Sequence, residues 1–145
     1  MKIKKITDKH IKRVYGIGKN DFRGQLWFSE NFLRETINTP GYYYGVFDGD
    51  NLVGVILARK FDRPKLWIFY LAVDKEHRRR GIGTKLIQAV IKSANRRHDL
   101  LFADSSRSDK AANRFYRANG FKRAGTVKPW FGADDSGVIF YKNMT

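Results

Sequence analysis

The chain has no cysteine. Disulfides, thiolate metal ligands and a cysteine nucleophile are therefore excluded. Histidine is scarce too: His10, His77 and His98 lie too far apart to share a ligand spacing, so no metal is expected. With three prolines, no low-complexity tract and no internal repeat, the chain reads as neither a linker nor a solenoid. No apolar run approaches the roughly 20 residues that cross a bilayer, and no membrane partner is expected. The opening MKIKKITDKH lacks the apolar core of a secretion signal, which makes cytoplasmic residence the expectation. Acidic residues are the last shortage. Only 14 stand against 29 Lys and Arg, for a formal net charge of +15.

What remains is ample for a core. The 145 residues are 42% hydrophobic and include 11 Phe, 7 Tyr and 3 Trp, so one domain over 1–145 is expected. A charge of +15 concentrates anions near the surface, over a Debye length of about 8 Å at physiological salt. An acidic partner, nucleic acid or ribosome included, is one reading. The basic residues are spread over nearly every segment, so simple solubility is the other.

Periodicity gives the element order. Lys2 to Ile6 reads as a strand, followed by Thr7 as an N-cap and a short helix with Ile11, Val14 and Tyr15 on one side, ended by Gly16 and Gly18. Asn20 to Trp27 is loop-like. Ser29 reads as a second N-cap, because Phe28 and Leu33 have the spacing of a hydrophobic staple, and Thr39-Pro40-Gly41 stops that helix. Tyr42 to Phe47 and Leu52 to Lys60 form a hairpin about Asp48 to Asn51. Leu66 to Val73 is apolar on both sides and reads as a central strand. A helix follows with Leu86, Ile87, Val90, Ile91 and Ala94 inward, and Lys85, Lys92, Asn95 and Arg96 mostly outward. Asp99 to Asp104 is a short strand. Ser108 or Asp109 caps a helix whose inner face is Ala112, Phe115 and Tyr116, closed by Asn119-Gly120. Phe121 to Val127 and Val138 to Lys142 are the last strands, with 129–137 as their loop. The order βααβββαβαββ implies an α/β, or α+β, mixed sheet flanked by helices.

The stretch from Leu66 to Ala94 organises the rest: an apolar strand, a basic turn, Gly81-Ile82-Gly83, then a helix. Backbone N–H groups at a helix start, with no side chain in the way, can hold an anion. A Walker A loop is excluded, since the glycines stand too close together and Thr84 precedes Lys85. A dinucleotide fingerprint needs a third glycine where Leu86 stands. The Arg/Gln-x-x-Gly-x-Gly/Ala signature does fit, at Arg78, Gly81 and Gly83.

On that loop, and on the run Asp109-Lys-Ala112-containing helix through Asn113, Phe115, Tyr116, Asn119, Gly120 and Phe121, the chain resembles the GNAT superfamily of acyl-CoA N-acyltransferases. The likeness covers Leu66 to Phe121 and implies a GNAT-like fold with acetyl-CoA as cosubstrate. It implies that Arg78, Arg79, Arg80, Gly81, Ile82, Gly83 and Thr84 form the pyrophosphate loop. The backbone of Leu71, Ala72 and Val73 would hold the pantetheine arm, with an amide there polarising the thioester carbonyl. Tyr116 would protonate the departing thiolate. The family's helix begins with Asn where this chain has Asp109, which can cap but cannot donate as an amide does; Asn113, one turn on, is a possible substitute.

The resemblance leaves the base open. Trp67, Ile68, Phe69 and Tyr70 offer no carboxylate on the central strand. Enzymes that acetylate protein N-termini carry one five residues before the Asn position, which is Asp104 here; a strand-end Asp making a turn bond is the plainer reading. Asp134 and Asp135 read as turn residues, and Glu30 and Glu35 as surface charges. For the acceptor, neutralising a Lys side chain at pH 7 costs roughly 4.6 kcal/mol, against roughly 1 kcal/mol for an α-amine. An amine acceptor of the second kind, a peptide N-terminus or a small amine, is expected. Tyr42, Tyr43, Tyr44, Trp27, Trp130 and Phe131 are aromatic candidates for its pocket. The alternative is a catalytically inactive module binding nucleic acid or ribosome through its charge.

Overall fold

The computed structural model describes residues 1–22, 25, 27–94, 98, 100–132 and 135–144, with only the backbone of Phe131 and Gly132. Asn95, Arg96, Asp99, Asp134 and the side chain of Phe131, named above, lie outside the described residues.

The elements follow the expected order: β1 (Lys2–Lys5), α1 (Ile11–Gly18), α2 (Glu30–Ile37), β2 (Gly41–Asp48), β3 (Asn51–Lys60), β4 (Lys65–Val73), α3 (Ile82–Ala94), β5 (Leu100–Ser106), α4 (Lys110–Ala118), β6 (Lys122–Gly132) and β7 (Asp135–Asn143). One mixed sheet of order β1-β2-β3-β4-β5-β7-β6 carries them. All its pairings are antiparallel except β4 with β5. That one parallel contact is the crossover made through α3, and it is the only βαβ unit needed to build the site.

Two apolar clusters cover the two faces. Ile11, Val14 and Leu33 from α1 and α2 pack with Leu57, Tyr70 and Ala72. Ile82, Leu86 and Val90 from α3 and Tyr116 from α4 pack with Ile68, Leu101 and Phe140. β4 serves both clusters, by a device that strict alternation does not reveal. Tyr70 pairs with Leu57 and Ile68 with Ala58, so Phe69 is an extra residue, a β-bulge. The bulge reverses the alternation: Leu66 and Ile68 face α3 and α4, while Tyr70 and Ala72 face α1 and α2.

Several expected boundaries shift. Thr7 precedes a 3-10 turn, Asp8–His10, before α1 begins at Ile11. Gly16 does not end α1, which runs to Gly18; there a Cβ would lie 2.2 Å from the Tyr70 hydroxyl, so this glycine admits the ring. Ser29 does cap α2, its Oγ accepting from Phe32 N–H at 3.1 Å. β5 extends two residues past Asp104. Most of 129–137 is not loop, since β6 reaches Gly132 and β7 starts at Asp135. Pro129, expected in that loop, lies instead on β6, the sheet edge, where a strand proline is tolerated.

Candidate active site

β4 and β5 are paired only from Lys65↔Leu100 to Ile68↔Ala103. Beyond that point β5 continues along β7 as far as Ser106↔Gly137, while β4 continues along β3. Among the described residues no strand covers β4 on its β5 side from Phe69 to Val73. A seam thus opens in the middle of the sheet, bordered by Leu71, Ala72 and Val73. Backbone groups left on such an edge need a partner, which an extended ligand carrying amides can supply. Val73 is already partly used: its carbonyl accepts from Arg78 Nε–H at 3.1 Å.

At the top of the seam lies the glycine loop. The first helical hydrogen bond of α3 runs from Lys85 N–H to the Gly81 carbonyl at 3.0 Å. Among the described residues none of the N–H groups from Arg79 to Thr84 has a backbone acceptor. Gly81 takes φ 75°, and a Cβ on it would meet nothing within 4 Å, so the space above it is open. Arg79 takes φ 65°, uncommon for a residue with a side chain. Arg79 and Arg80 are exposed. Gly83 has a different task, because a Cβ there would lie 2.8 Å from the Phe115 ring. The second glycine is thus what lets α3 and α4 start side by side. Ile82 is held from below in the same manner, where a Cβ on Gly54 would come within 2.5 Å of it. The Arg78 guanidinium is engaged by Asp21, bonding its Oδ2 at 3.1 Å.

Asp109 is the N-cap of α4, its Oδ1 accepting from Ala112 N–H at 3.0 Å. Asn113 Nδ2 donates to the carbonyls of Ser106, at 3.2 Å, and Asp109, at 2.5 Å. Asp109 thus closes the first turn of α4, and Asn113 fastens that turn to the end of β5. One turn on, the Tyr116 ring is buried against Phe115, Phe121 and Phe140. Burial pushes its hydroxyl well above the ordinary value of 10.0, and the Asp104 and Asp109 carboxylates push the same way. The phenol stays protonated throughout the neutral range.

Asp104 is no turn residue. It shares the face of Phe102, on the α1 and α2 side, whereas Tyr116 belongs to the α3 and α4 side. Trp67 Nε1–H donates to its Oδ1 at 2.7 Å, and Trp130 Nε1–H to its Oδ2 at 2.9 Å. Neither indole contact was foreseeable, since the residues lie 37 and 26 positions from Asp104. The open seam lies between the strands that carry the two faces, and the Asp104 charge adds to the burial that raises the Tyr116 hydroxyl.

The other aromatic candidates divide. Trp27 packs edge-on to Phe69 at 6.0 Å, near the seam. Tyr43 is buried in the α1 and α2 cluster and bonds Thr39, whereas Tyr44, bonded to Ser93, and Tyr42, edge-on to His98, pack on the α3 side; all three stand on β2, two strands from β4. Asp135 is not a free turn residue either, because Ser106 Oγ donates to it at 2.7 Å.

The sequence pattern of the acetyltransferase (GNAT) family matches residues 11–121. The chain belongs to the GNAT acetyltransferase family. The match takes in the loop, the seam, Asp104 and Tyr116, and leaves the β6–β7 hairpin outside it. Human N-acetyltransferase 8 is 32% identical over 82 residues, which are 52% of this chain and 36% of that protein. The chain thus spans well under half of that relative's length. Ard1 from Thermoplasma volcanium superposes with a TM-score of 0.89 at 19% identity, covering 98% of this chain and 96% of that one. The ribosomal-protein-S18-alanine N-acetyltransferase of Escherichia coli superposes at 0.84 with 17% identity, over 99% and 94%. These structural likenesses establish the GNAT fold, a seven-stranded mixed sheet flanked by helices.

Proposed function

We propose that this GNAT domain moves the acetyl group of acetyl-CoA directly to a primary amine, an α-amine of a peptide N-terminus or small molecule. One observation carries the reading. The β4–β5 seam opens beside an uncapped helix start, with Asp104 on one face of the sheet and Tyr116 on the other.

The residues present suit the cosubstrate. The free N–H groups of 79–84 are donors for a pyrophosphate, the open space over Gly81 admits it, and the helix dipole favours its charge. The uncovered edge of Leu71 to Val73 matches the amides of a pantetheine arm. Bound there, acetyl-CoA would supply the acyl group as a thioester. Asp104 is the base that takes the amine's proton. Its two indole bonds hold the carboxylate still and leave further lone pairs for the amine. Tyr116, kept protonated by its surroundings, gives its proton to the departing thiolate. The α-amine is favoured over a Lys side chain because a single carboxylate has about 1 rather than about 4.6 kcal/mol to supply at pH 7. S18-alanine as the acceptor of the E. coli neighbour is in keeping with this.

Acetyl-CoA turnover across peptides with varied N-termini, Lys peptides with blocked N-termini, and polyamines tests the reading. Free α-amines are expected to be acetylated fastest. Tight, salt-sensitive binding of RNA with no acetyl transfer to any amine would replace this reading with the binding module.

A further inference from the structure

Trp130 reaches Asp104 across an intervening strand. It stands on β6 at the sheet edge, with β7 between it and β5. The crossing is possible because Gly137, on β7, has no side chain. A Cβ on Gly137 would lie 2.2 Å from Trp130 Cγ and 2.6 Å from its Cβ. Gly137 pairs with Ser106 on one side and Val127 on the other, so the indole is laid over the backbone just beyond Asp104.

The ring is nevertheless 44% exposed, and Phe61 on the same side of the sheet is 62% exposed. Half-buried aromatics continue from Phe61, and Asp104, bonded to both Trp67 and Trp130, joins them to the Trp130 ring. Trp67 stacks on Phe102 at 6.2 Å with an interplanar angle of 2°, Phe102 meets Phe61 edge-on at 5.6 Å, and Trp67 lies 5.8 Å from Phe69. Contiguous rings left half in water mark a binding surface. Asp104 stands at the end of this strip. The acid nearest its other end, Asp62, is paired with Lys65 at 2.7 Å. The strip thus offers the Asp104 carboxylate and a length of apolar ring.

Resting on the acetyl-transfer reading above, we propose that Trp130, laid across Gly137, selects the acceptor: an α-amine whose adjoining side group is large and apolar or aromatic. The nitrogen lies toward Asp104 and the side group covers the rings. Polyamines need several acids, and the protein carries a charge of +15. A small first residue such as Ala or Ser leaves the rings in water.

The experiment measures kcat and KM for peptides beginning Phe, Leu, Ala and Ser, and for spermidine, with the whole chain and with Trp130→Ala, Trp130→Phe and Gly137→Ala. A methylene in an apolar pocket is worth about 10- to 200-fold, so Phe and Leu should exceed Ala and Ser by at least about tenfold in kcat/KM. Trp130→Ala should bring that ratio within about threefold. Trp130→Phe should keep the ratio and lower kcat, because the ring stays and the N–H to Asp104 goes. Gly137→Ala should behave as Trp130→Ala does, with Trp130→Phe covering a failure of Gly137→Ala to fold. A preference for Ala or Ser, or an unchanged ratio in Trp130→Ala, overturns the proposal and leaves acetyl transfer standing. Turnover of none of these amines, with acetyl-CoA still bound, overturns the acetyl-transfer reading and this proposal with it.

Discussion

Two helices begin at the seam, and they begin differently. At α3 the chain has two glycines, an open space over Gly81 and N–H groups without backbone acceptors. At α4 most of the equivalent donors are taken: Lys110 N–H bonds the Ser108 carbonyl, Asp109 accepts from Ala112, and the Asn113 side chain ties the first turn to β5. The first start is left for a ligand, the second is closed by its own side chains. The difference separates binding from chemistry, since α3 offers only donors and α4 delivers Tyr116.

The strongest way to break this contrast is to close the open start. Gly83→Trp should abolish measurable acetyl-CoA binding by calorimetry, because its side chain must occupy either the loop or the place of Phe115, whose ring lies 2.8 Å from the Cβ position. Retained affinity would remove the loop assignment. Tyr116→Phe should leave acetyl-CoA affinity within about threefold and lower kcat by roughly 10²- to 10⁴-fold, the usual weight of a general acid. Equal losses in both would make Tyr116 merely a core aromatic.

A subtler measurement uses pH. Tyr116 and Tyr70 have folded pKa values raised above the unfolded 10.0, so their contribution to stability is complete below pH 10 and is lost as pH rises further. Thermal melts from pH 9 upward should show a falling Tm, with a shallower fall in Tyr116→Phe. The smallest effect belongs to the cap. Asp109→Ala should cost about 1 kcal/mol of stability in urea unfolding and leave acetyl-CoA affinity nearly unchanged. A large loss of affinity would give Asp109 the cosubstrate contact that its Asn counterpart implies in relatives.

The contrast between the two starts was partly legible. Gly81, Gly83 and the Asp109 cap are local patterns, and local patterns survive into the fold. The element order was legible for the same reason, through periods of 2 and 3.6. Three things were not. The bulge at Phe69 lies in an unbroken apolar run, where alternation carries no signal. The indoles on Asp104 come from strands far away in sequence, and no spacing announces them. Gly137 reads as one more turn glycine in a stretch that has Gly132 and Asp135, yet its role is set by a ring on the neighbouring strand. Long-range contacts of this kind exist only once the sheet is assembled.

The bulge in β4 has a consequence for how this chain can change. It behaves as a frameshift in the strand: before Phe69 one set of alternate residues belongs to the α3 and α4 layer, and after it the other set does. Deleting Phe69 would restore a single phase and drive Tyr70 and Ala72, now matched to α1 and α2, into the opposite layer. Substitutions along β4 are therefore individually negotiable, while a change in its length by one residue is not, and the seam can be retuned only by exchange of side chains.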